Sequence, residues 1–204
     1  MKRYILGAGE QGKIVIPNLM ERMNLSIDGF FDDNSHLPLV VGGFDDLEKV
    51  LTSEDELYFG MGSNEIREQV FGRMAGKVRF PNLIDPSAII ANNVQLGSGI
   101  VIAQGVIINS QARVGNGCLI NTGVVLEHDT IIGDYANMEP TSATMGGVHI
   151  GRGATVGPRA IVCEDFAVGD YAHIGAGSTV LTDVPGGYLA YGTPAKLIKR
   201  IKEE

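Results

Sequence analysis

Residues 96–120 read LGSGIVIAQGVIINSQARVGNGCLI, and Leu96, Ile102, Ile108, Val114 and Ile120 stand at every sixth position of the stretch. The same spacing runs outward in both directions. Upstream it takes in Ile84 and Ile90; downstream it takes in Leu126, Ile132, Met138, Thr144, Ile150, Val156, Val162, Val168, Ile174 and Val180. Of these seventeen positions, sixteen are aliphatic or methionine, and the exception is Thr144. The residues four further on, from Ala88 to Ser178, are mostly small or β-branched. A period of six is neither the about 3.6 of a helix nor the 2 of a strand. It fits a triangular prism in which each hexad supplies one short flat strand and one corner. Three hexads close a coil, and successive coils stack at about 4.8 Å like any parallel strands. The run predicts between five and six coils. Glycines and asparagines at the corners (Asn92, Asn93, Gly97, Gly115, Asn116, Gly117, Gly151, Gly153, Gly175, Gly177) are expected to supply unusual backbone angles.

Composition agrees with many tight corners and a narrow core. Glycine makes up 28 of 204 residues, nearly twice the about 7% of ordinary proteins, and tryptophan is absent. The net charge of −8 argues against nucleic acid, which needs a basic face to release counterions. Cys118 and Cys163 have no paired spacing and read as reduced thiols. The apolar run after Met1 is too short for a signal-peptide core, and no run approaches the about 20 residues that span a bilayer. The expectation is a cytoplasmic protein without membrane insertion.

Before residue 84 the pattern differs. Tyr4-Ile5-Leu6, Ile27 to Phe31, Leu39 to Val41 and Leu57 to Phe59 read as strands. Helices are expected around Lys13 to Met23, Asp46 to Leu51 and Glu65 to Met74. Strands alternating with helices imply a parallel sheet. The chain therefore divides into a small Rossmann-like α/β domain over 1–82 and a β-helical domain over 83–204. Gly7-x-Gly9-x-x-Gly12 follows a strand and opens a helix, with Asp32 twenty residues after Gly12, which is the context of a nucleotide-binding turn. About 80 residues suit a mononucleotide-sized unit and leave no room for both halves of an NAD site. After Val180 the repeat stops; Thr193 and Pro194 are read as the N-cap and first turn of a short C-terminal helix, Lys196 to Lys202. Its interleaved Leu197, Ile198 and Ile201 are read as an amphipathic cap on the open end of the prism.

One corner carries chemistry. His128 lies two residues after the inward Leu126, so it sits at a corner and outside the core. A neutral imidazole there can take a proton near pH 7. One coil later, at the same place, come Gly146 and Gly147, which leave the space over the ring free of side chains. Glu127 and Asp129 flank the histidine, and either could orient it.

The hexapeptide repeat, the Gly7-to-Gly12 turn, Phe30-Phe31-Asp32-Asp33, and Gly62-Ser63-Asn64-Glu65-Ile66-Arg67 together resemble bacterial sugar acetyltransferases. These are the sialic acid O-acetyltransferase-like proteins and the UDP-4-amino-sugar N-acetyltransferases of surface-glycan synthesis. The resemblance implies a left-handed parallel β-helix, a homotrimer with active sites between prisms, and acetyl-CoA as co-substrate without a metal. It implies that His128 is the base, that Asp129 orients it, and that the Gly146 N–H acts as oxyanion donor. It also implies that Gly9, Gln11, Gly12, Asp32, Asp33, Gly62, Ser63 and Asn64 hold the nucleotide sugar, with Gln11 where some relatives have histidine. Gly192-Thr193-Pro194-Ala195-Lys196 is similar to the segment that ends many coenzyme-A-using relatives, and with Gly147 it is expected to contact the cofactor. Asn137 stands where relatives carry a second histidine, and Met138-Glu139-Pro140-Thr141 also departs from their pattern. Asparagine can hydrogen-bond a substrate but cannot shuttle protons.

Zinc hydratases on this repeat use convergent histidines. Here His128, His149 and His173 are 21 and 24 residues apart, neither a whole number of coils, and His36 lies outside the repeat. The expected activity is acetyl transfer to the amino group of a nucleotide-linked amino sugar. The alternatives are O-acetylation of sialic acid or another sugar hydroxyl, and a non-catalytic nucleotide-sugar-binding scaffold.

Overall fold

A computed structural model describes residues 1–33 and 37–201; His36 and Lys202 lie outside the described residues. The chain opens with a four-stranded parallel sheet in the order β3-β2-β1-β4, formed by β1 (Arg3–Leu6), β2 (Gly29–Phe31), β3 (Val40–Gly42) and β4 (Glu56–Phe59). Helices α1 (Ile16–Arg22), α2 (Leu47–Val50) and α3 (Asn64–Met74) connect and flank it. A π-helical turn, Gln11–Val15, leads into α1, and Pro17 sits at the junction, in the first turn of α1. Alternation along β1 sends Tyr4 and Leu6 to one side of the sheet, against α2 and α3, and Ile5 to the other.

From Leu83 the chain becomes the left-handed β-helix. Seventeen two-residue strands run from Leu83–Ile84 to Thr179–Val180 on three parallel sheets. We number the prism faces by their first strands: face one begins at Leu83–Ile84, face two at Ile89–Ile90 and face three at Gln95–Leu96. Every pairing in the prism joins residues one coil apart, as in Val125 with Ala143. The sixfold aliphatics from Ile102 to Val180 fill the interior, the exception Thr144 being just as buried. Full burial of such a side chain contributes about 1.5–3 kcal/mol.

The corners follow a stricter rule than composition suggests. From Gly99 to Gly177 every sixth residue has positive φ, whether glycine or not; Gln111, Asp129, Tyr135, Thr141, Arg159, Asp165 and Tyr171 are the non-glycine cases. Of the glycines expected to supply unusual angles, Gly117, Gly153 and Gly177 do so. Gly97, Gly115, Gly151 and Gly175 are bare for another reason: the next layer lies too close for a Cβ. At Gly115 it would stand 2.6 Å from the backbone nitrogen of Asp134.

The first three outward residues of face one, Leu83, Val101 and Leu119, are buried against Ile5, Ile16, Leu19, Met20 and Tyr58, so the N-terminal layer packs on the lower half of that face. Arg22 of α1 reinforces the contact by a bidentate pair to the fully covered Asp85, at 2.6 and 3.0 Å. That guanidinium holds the Asp85 carboxyl at about 2.

The expected C-terminal helix is not formed. Tyr188–Gly192 adds to face one, and Ala195–Arg200 returns antiparallel beside it. Pro194 sits in the hairpin turn, and Thr193 caps no helix: its hydroxyl donates to the carbonyl of Gly177 at 3.3 Å. Leu197 and Ile198 are exposed on this strand, so they do not seal the prism end as a cap would. No helix among the described residues is long and apolar enough to cross a membrane.

Candidate active site

His128 occupies the corner between faces two and three, with its ring out of the core. The next residue, Asp129, takes the positive-φ corner position (φ 59°), which aspartate tolerates because its short carboxylate bonds locally. Here the carboxylate turns back to His128, Oδ2 lying 2.8 Å from Nδ1. A carboxylate accepts only, so in the neutral ring it fixes the proton on Nδ1 and leaves the Nε2 lone pair outward. The Asp129 hydrogen bond raises the His128 pKa, with further support from the charges of Glu127 and Glu164. Between the two expected orienting acids, the contact falls to Asp129.

Gly146 lies on the next coil against the ring. A Cβ there would come within 2.5 Å of His128 Cε1 and 2.7 Å of Nε2, so the corner needs glycine. The N–H of Gly147 is spent on the carbonyl of His128 at 3.0 Å. The Gly146 N–H is not: the residue is buried, and among the described residues no acceptor takes it. The N–H groups of Gln104 and Thr122, at the same place in other hexads, are also free of a backbone acceptor; what sets Gly146 apart is that it lies bare against the His128 ring, so its N–H is available beside the base.

The one polar position of the sixfold row explains itself at this corner. Thr144 Oγ1 lies 3.0 Å from Thr130 Oγ1 and accepts the backbone N–H of Glu127 at 3.3 Å. Two hydroxyls behind the histidine thus hold the backbone that carries it.

At the other site, the loops after β1, β2 and β4 converge at the carboxyl ends of parallel strands, where such sheets bind ligands. Asp32 Oδ2 accepts the N–H of Ala8 at 2.7 Å, and Asp33 Oδ1 accepts the N–H of Phe44 at 2.8 Å. A side chain at Gly12 would collide with the carbonyl of Gly7, so this glycine is needed for packing; one at Gly9 would meet nothing within 4 Å. Gln11 reaches toward Gly62, its Oε1 3.8 Å from where a Cβ on that glycine would stand.

Ser63 caps α3, its Oγ accepting the N–H of Ile66 at 3.3 Å. Asn64 and Asn137 face each other across Arg67, which is wholly buried. Arg67 donates to Gly117 O, Met61 O, Tyr135 O, Asn64 Oδ1 and Asn137 Oδ1 at 2.6–3.1 Å. Among the described residues it makes no ion pair, and desolvation brings its pKa down to about 10, with Glu65 and Glu139 acting against that only through their charge. Asn64 Nδ2 also bonds Gly153 O at 2.6 Å, and Asn137 Nδ2 bonds Gly62 O at 2.9 Å. Both amides are thus engaged in seating α3 and its loop on the prism. Beyond them a cavity of about 1230 Å³ extends over face one, floored by Asn137, Thr155 and His173 and bounded by Gly62, Glu139 and Arg200.

A family model for the PglD N-terminal domain matches residues 2–74, and one for the bacterial transferase hexapeptide (six repeats) matches 147–182. A perosamine N-acetyltransferase from Caulobacter crescentus, solved as a mutant in complex with CoA and GDP-perosamine, is 31% identical. The match covers 98% of this chain and 97% of that one, at a TM-score of 0.90. The chain belongs to the hexapeptide-repeat sugar acetyltransferases. The acetyltransferase domain of PglB from Neisseria gonorrhoeae, in complex with acetyl coenzyme A, is 26% identical over 97% of this chain and 98% of that one, at a TM-score of 0.89. WeeI from Acinetobacter baumannii shares the fold at 22% identity, a TM-score of 0.86, and coverage of 97% and 100%. No curated protein sequence matches.

In this acetyltransferase the residues expected at the site fall into separate groups. His128, Asp129, Glu127, Gly146 and Gly147 gather at one edge of face two. Gly192, Thr193, Pro194, Ala195 and Lys196 form the exposed hairpin turn, which reaches the opposite edge through Gly177 and Thr179. Gly9, Gln11, Gly12, Asp32 and Asp33 gather around the sheet, and Gly62, Ser63, Asn64 and Asn137 beside Arg67. Among the described residues no group of three or more His, Cys, Asp or Glu side chains could hold a metal. Two contributors had gone unassigned. Arg67 had a signal in Asn64-x-x-Arg67, which places both on one helical face; Thr144 had one in being the only polar residue of its row.

Proposed function

We propose that this acetyltransferase moves acetyl from acetyl-CoA to the amino group of a nucleotide-linked amino sugar. In this reading His128 is the base and Asp129 its orienting partner. The observation that carries it is the unpaired N–H of buried Gly146, set against the Asp129-oriented ring of His128. The amine attacks the thioester carbonyl and its oxygen becomes an oxyanion, which the Gly146 N–H stabilises. His128 Nε2 takes the proton lost by the nitrogen. As the C–S bond breaks, the proton passes to the departing thiolate, so CoA leaves as the thiol and the ring returns neutral. Residues 1–82 hold the nucleotide through Gly9, Gln11, Asp32 and Asp33, and the sugar extends past Gly62 toward Asn137. Residues 83–204 supply the chemistry. Gly147 and the Gly192-to-Lys196 turn receive coenzyme A.

The acceptor cavity on face one and His128 at the far edge of face two are too separate for one chain to join. A homotrimer lets one prism present His128 to its neighbour's cavity. The relatives solved with GDP-perosamine and with acetyl coenzyme A support the choice of both substrates. The test is thiol release from acetyl-CoA with GDP-, UDP- and dTDP-linked 4-amino sugars. Release with one of them should fall about 10²–10⁴-fold in His128→Ala. A variant that keeps its rate removes His128 from the role, and release on sialic acid alone moves the acceptor to a hydroxyl.

A further inference from the structure

Glu139 stands at the edge of face one, on the wall of the cavity, two residues from Asn137 and on the same side of its strand. Met138 between them points into the core and is fully buried, so the alternation sends both polar side chains outward together. The other acidic side chains on this wall have partners. Glu68 is paired with Arg152 and with the hydroxyl of Tyr171; Asp170 caps the N–H of Arg152 at 2.9 Å; Glu65 accepts from Ser63 at 3.0 Å. Glu139 has one long contact, from Asn121 Nδ2 at 3.4 Å to Oε2, and among the described residues it makes no ion pair. Its Oε1 has no hydrogen-bond partner, yet it is not among the sealed, unsatisfied atoms, so it opens to the cavity.

A half-buried carboxylate whose unpaired oxygen faces open space keeps a free acceptor for a ligand's charged donor. Burial raises the pKa of Glu139, while the buried charge of Arg67 nearby favours its ionised form. On the two coils above, Gly157 and Gly175 occupy the same place in the repeat, and the first side chain to cover this column is Tyr191, packed over Gly175.

We infer that the Glu139 carboxylate selects the acceptor in this cavity, binding the protonated amino group of the sugar and discriminating it from a hydroxyl. The inference rests on the proposed function and adds the group that separates amine from hydroxyl, a choice His128 cannot make because it serves either nucleophile. Glu139 is a specificity residue: it recognises the bound ammonium, which sheds one proton to solvent through the open cavity before attack, so that His128 takes only the second, lost by the nitrogen as the C–N bond forms.

The test is calorimetric binding of a GDP-linked 4-amino-4,6-dideoxy sugar, its 4-hydroxy counterpart and its N-acetylated product. Wild type and Glu139→Gln are compared, with CoA affinity as control. Wild type should prefer the amine over both neutral ligands on the order of 10–100-fold, the worth of a charge-assisted hydrogen bond. Glu139→Gln should bring the three affinities together and leave that for CoA unchanged. A preference that survives Glu139→Gln overturns the inference and leaves the function standing. Equal binding of amine and N-acetylated product by wild type overturns it without any variant. Binding of none of the three overturns the proposed function and this inference with it.

Discussion

An exposed imidazole is held by few contacts, so its neighbours act on it chiefly through proton affinity and orientation. Asp129 does both. Because its hydrogen bond raises the His128 pKa, the neutral, proton-accepting ring is depleted below a pKa lying above the ordinary 6.5. The acid limb of kcat/KM should therefore rise with pH through that elevated value and then level off. In Asp129→Asn the limb should move toward lower pH, while the plateau falls about 10–100-fold because the ring loses its fixed tautomer. A pH–rate profile of both proteins checks this; an unmoved limb would mean that the carboxylate does not set the titration. The pairing of His128 with Gly146 was legible in the sequence, since eighteen residues is one coil and stacking follows by arithmetic. The choice of Asp129 over Glu127 came from the family resemblance and not from the spacing. It depends on which residue takes the positive-φ corner, and that emerges from the sixfold recurrence in the backbone.

Among the elements, α3 is seated on the prism by the buried Arg67, a charge that makes no ion pair among the described residues. Arg67→Met would keep the bulk but strand five acceptor oxygens on Gly117, Met61, Tyr135, Asn64 and Asn137. The expected cost is about 3–5 kcal/mol, as for breaking a buried polar network, read as a lower urea midpoint. Weaker nucleotide-sugar binding should accompany it, since the Gly62 loop is tied to the same amides. An unchanged midpoint would show that water replaces the guanidinium at little cost. The sheet and its helices were readable from apolar runs and polar spacers. The tail was misread because Leu197, Ile198 and Ile201 among lysines and arginine fit a helix as well as a strand in so short a run. What decided it was the open hydrogen-bonding edge at Tyr188–Gly192, a tertiary partner that local periodicity does not register.

The whole molecule offers unlike prism faces. Face one is covered below by the N-terminal layer. Face two presents an outward column of Ile89, Ile107, Val125, Ala143 and Ile161, with Ile89 65% and Ile161 40% exposed. An apolar column beside His128 is the surface we assign to the contact of the proposed trimer. Ile107→Glu combined with Ile161→Glu should yield monomers by analytical ultracentrifugation and abolish acetyl transfer, with CD unchanged. A trimer that persists would move the contact to another face. The prism was legible in full from its period, but the seat of the N-terminal layer was not announced by it. The switch in the outward column of face one, from Leu83, Val101 and Leu119 to Asn137, Thr155 and His173, encodes that seat. It becomes readable only once the faces are told apart.

The uniform corner geometry also makes the prism a ruler. Because every corner from Gly99 to Gly177 has the same handed backbone, a whole coil could be added or removed above Tyr171, the highest of the residues bonded to α3, without disturbing the His128 corner or the terminal hairpin. The height of the hairpin above His128 is therefore graduated in steps of about 4.8 Å. Lineages that gained or lost one eighteen-residue unit there would change the length of the substrate arm they measure while keeping the chemistry at its base.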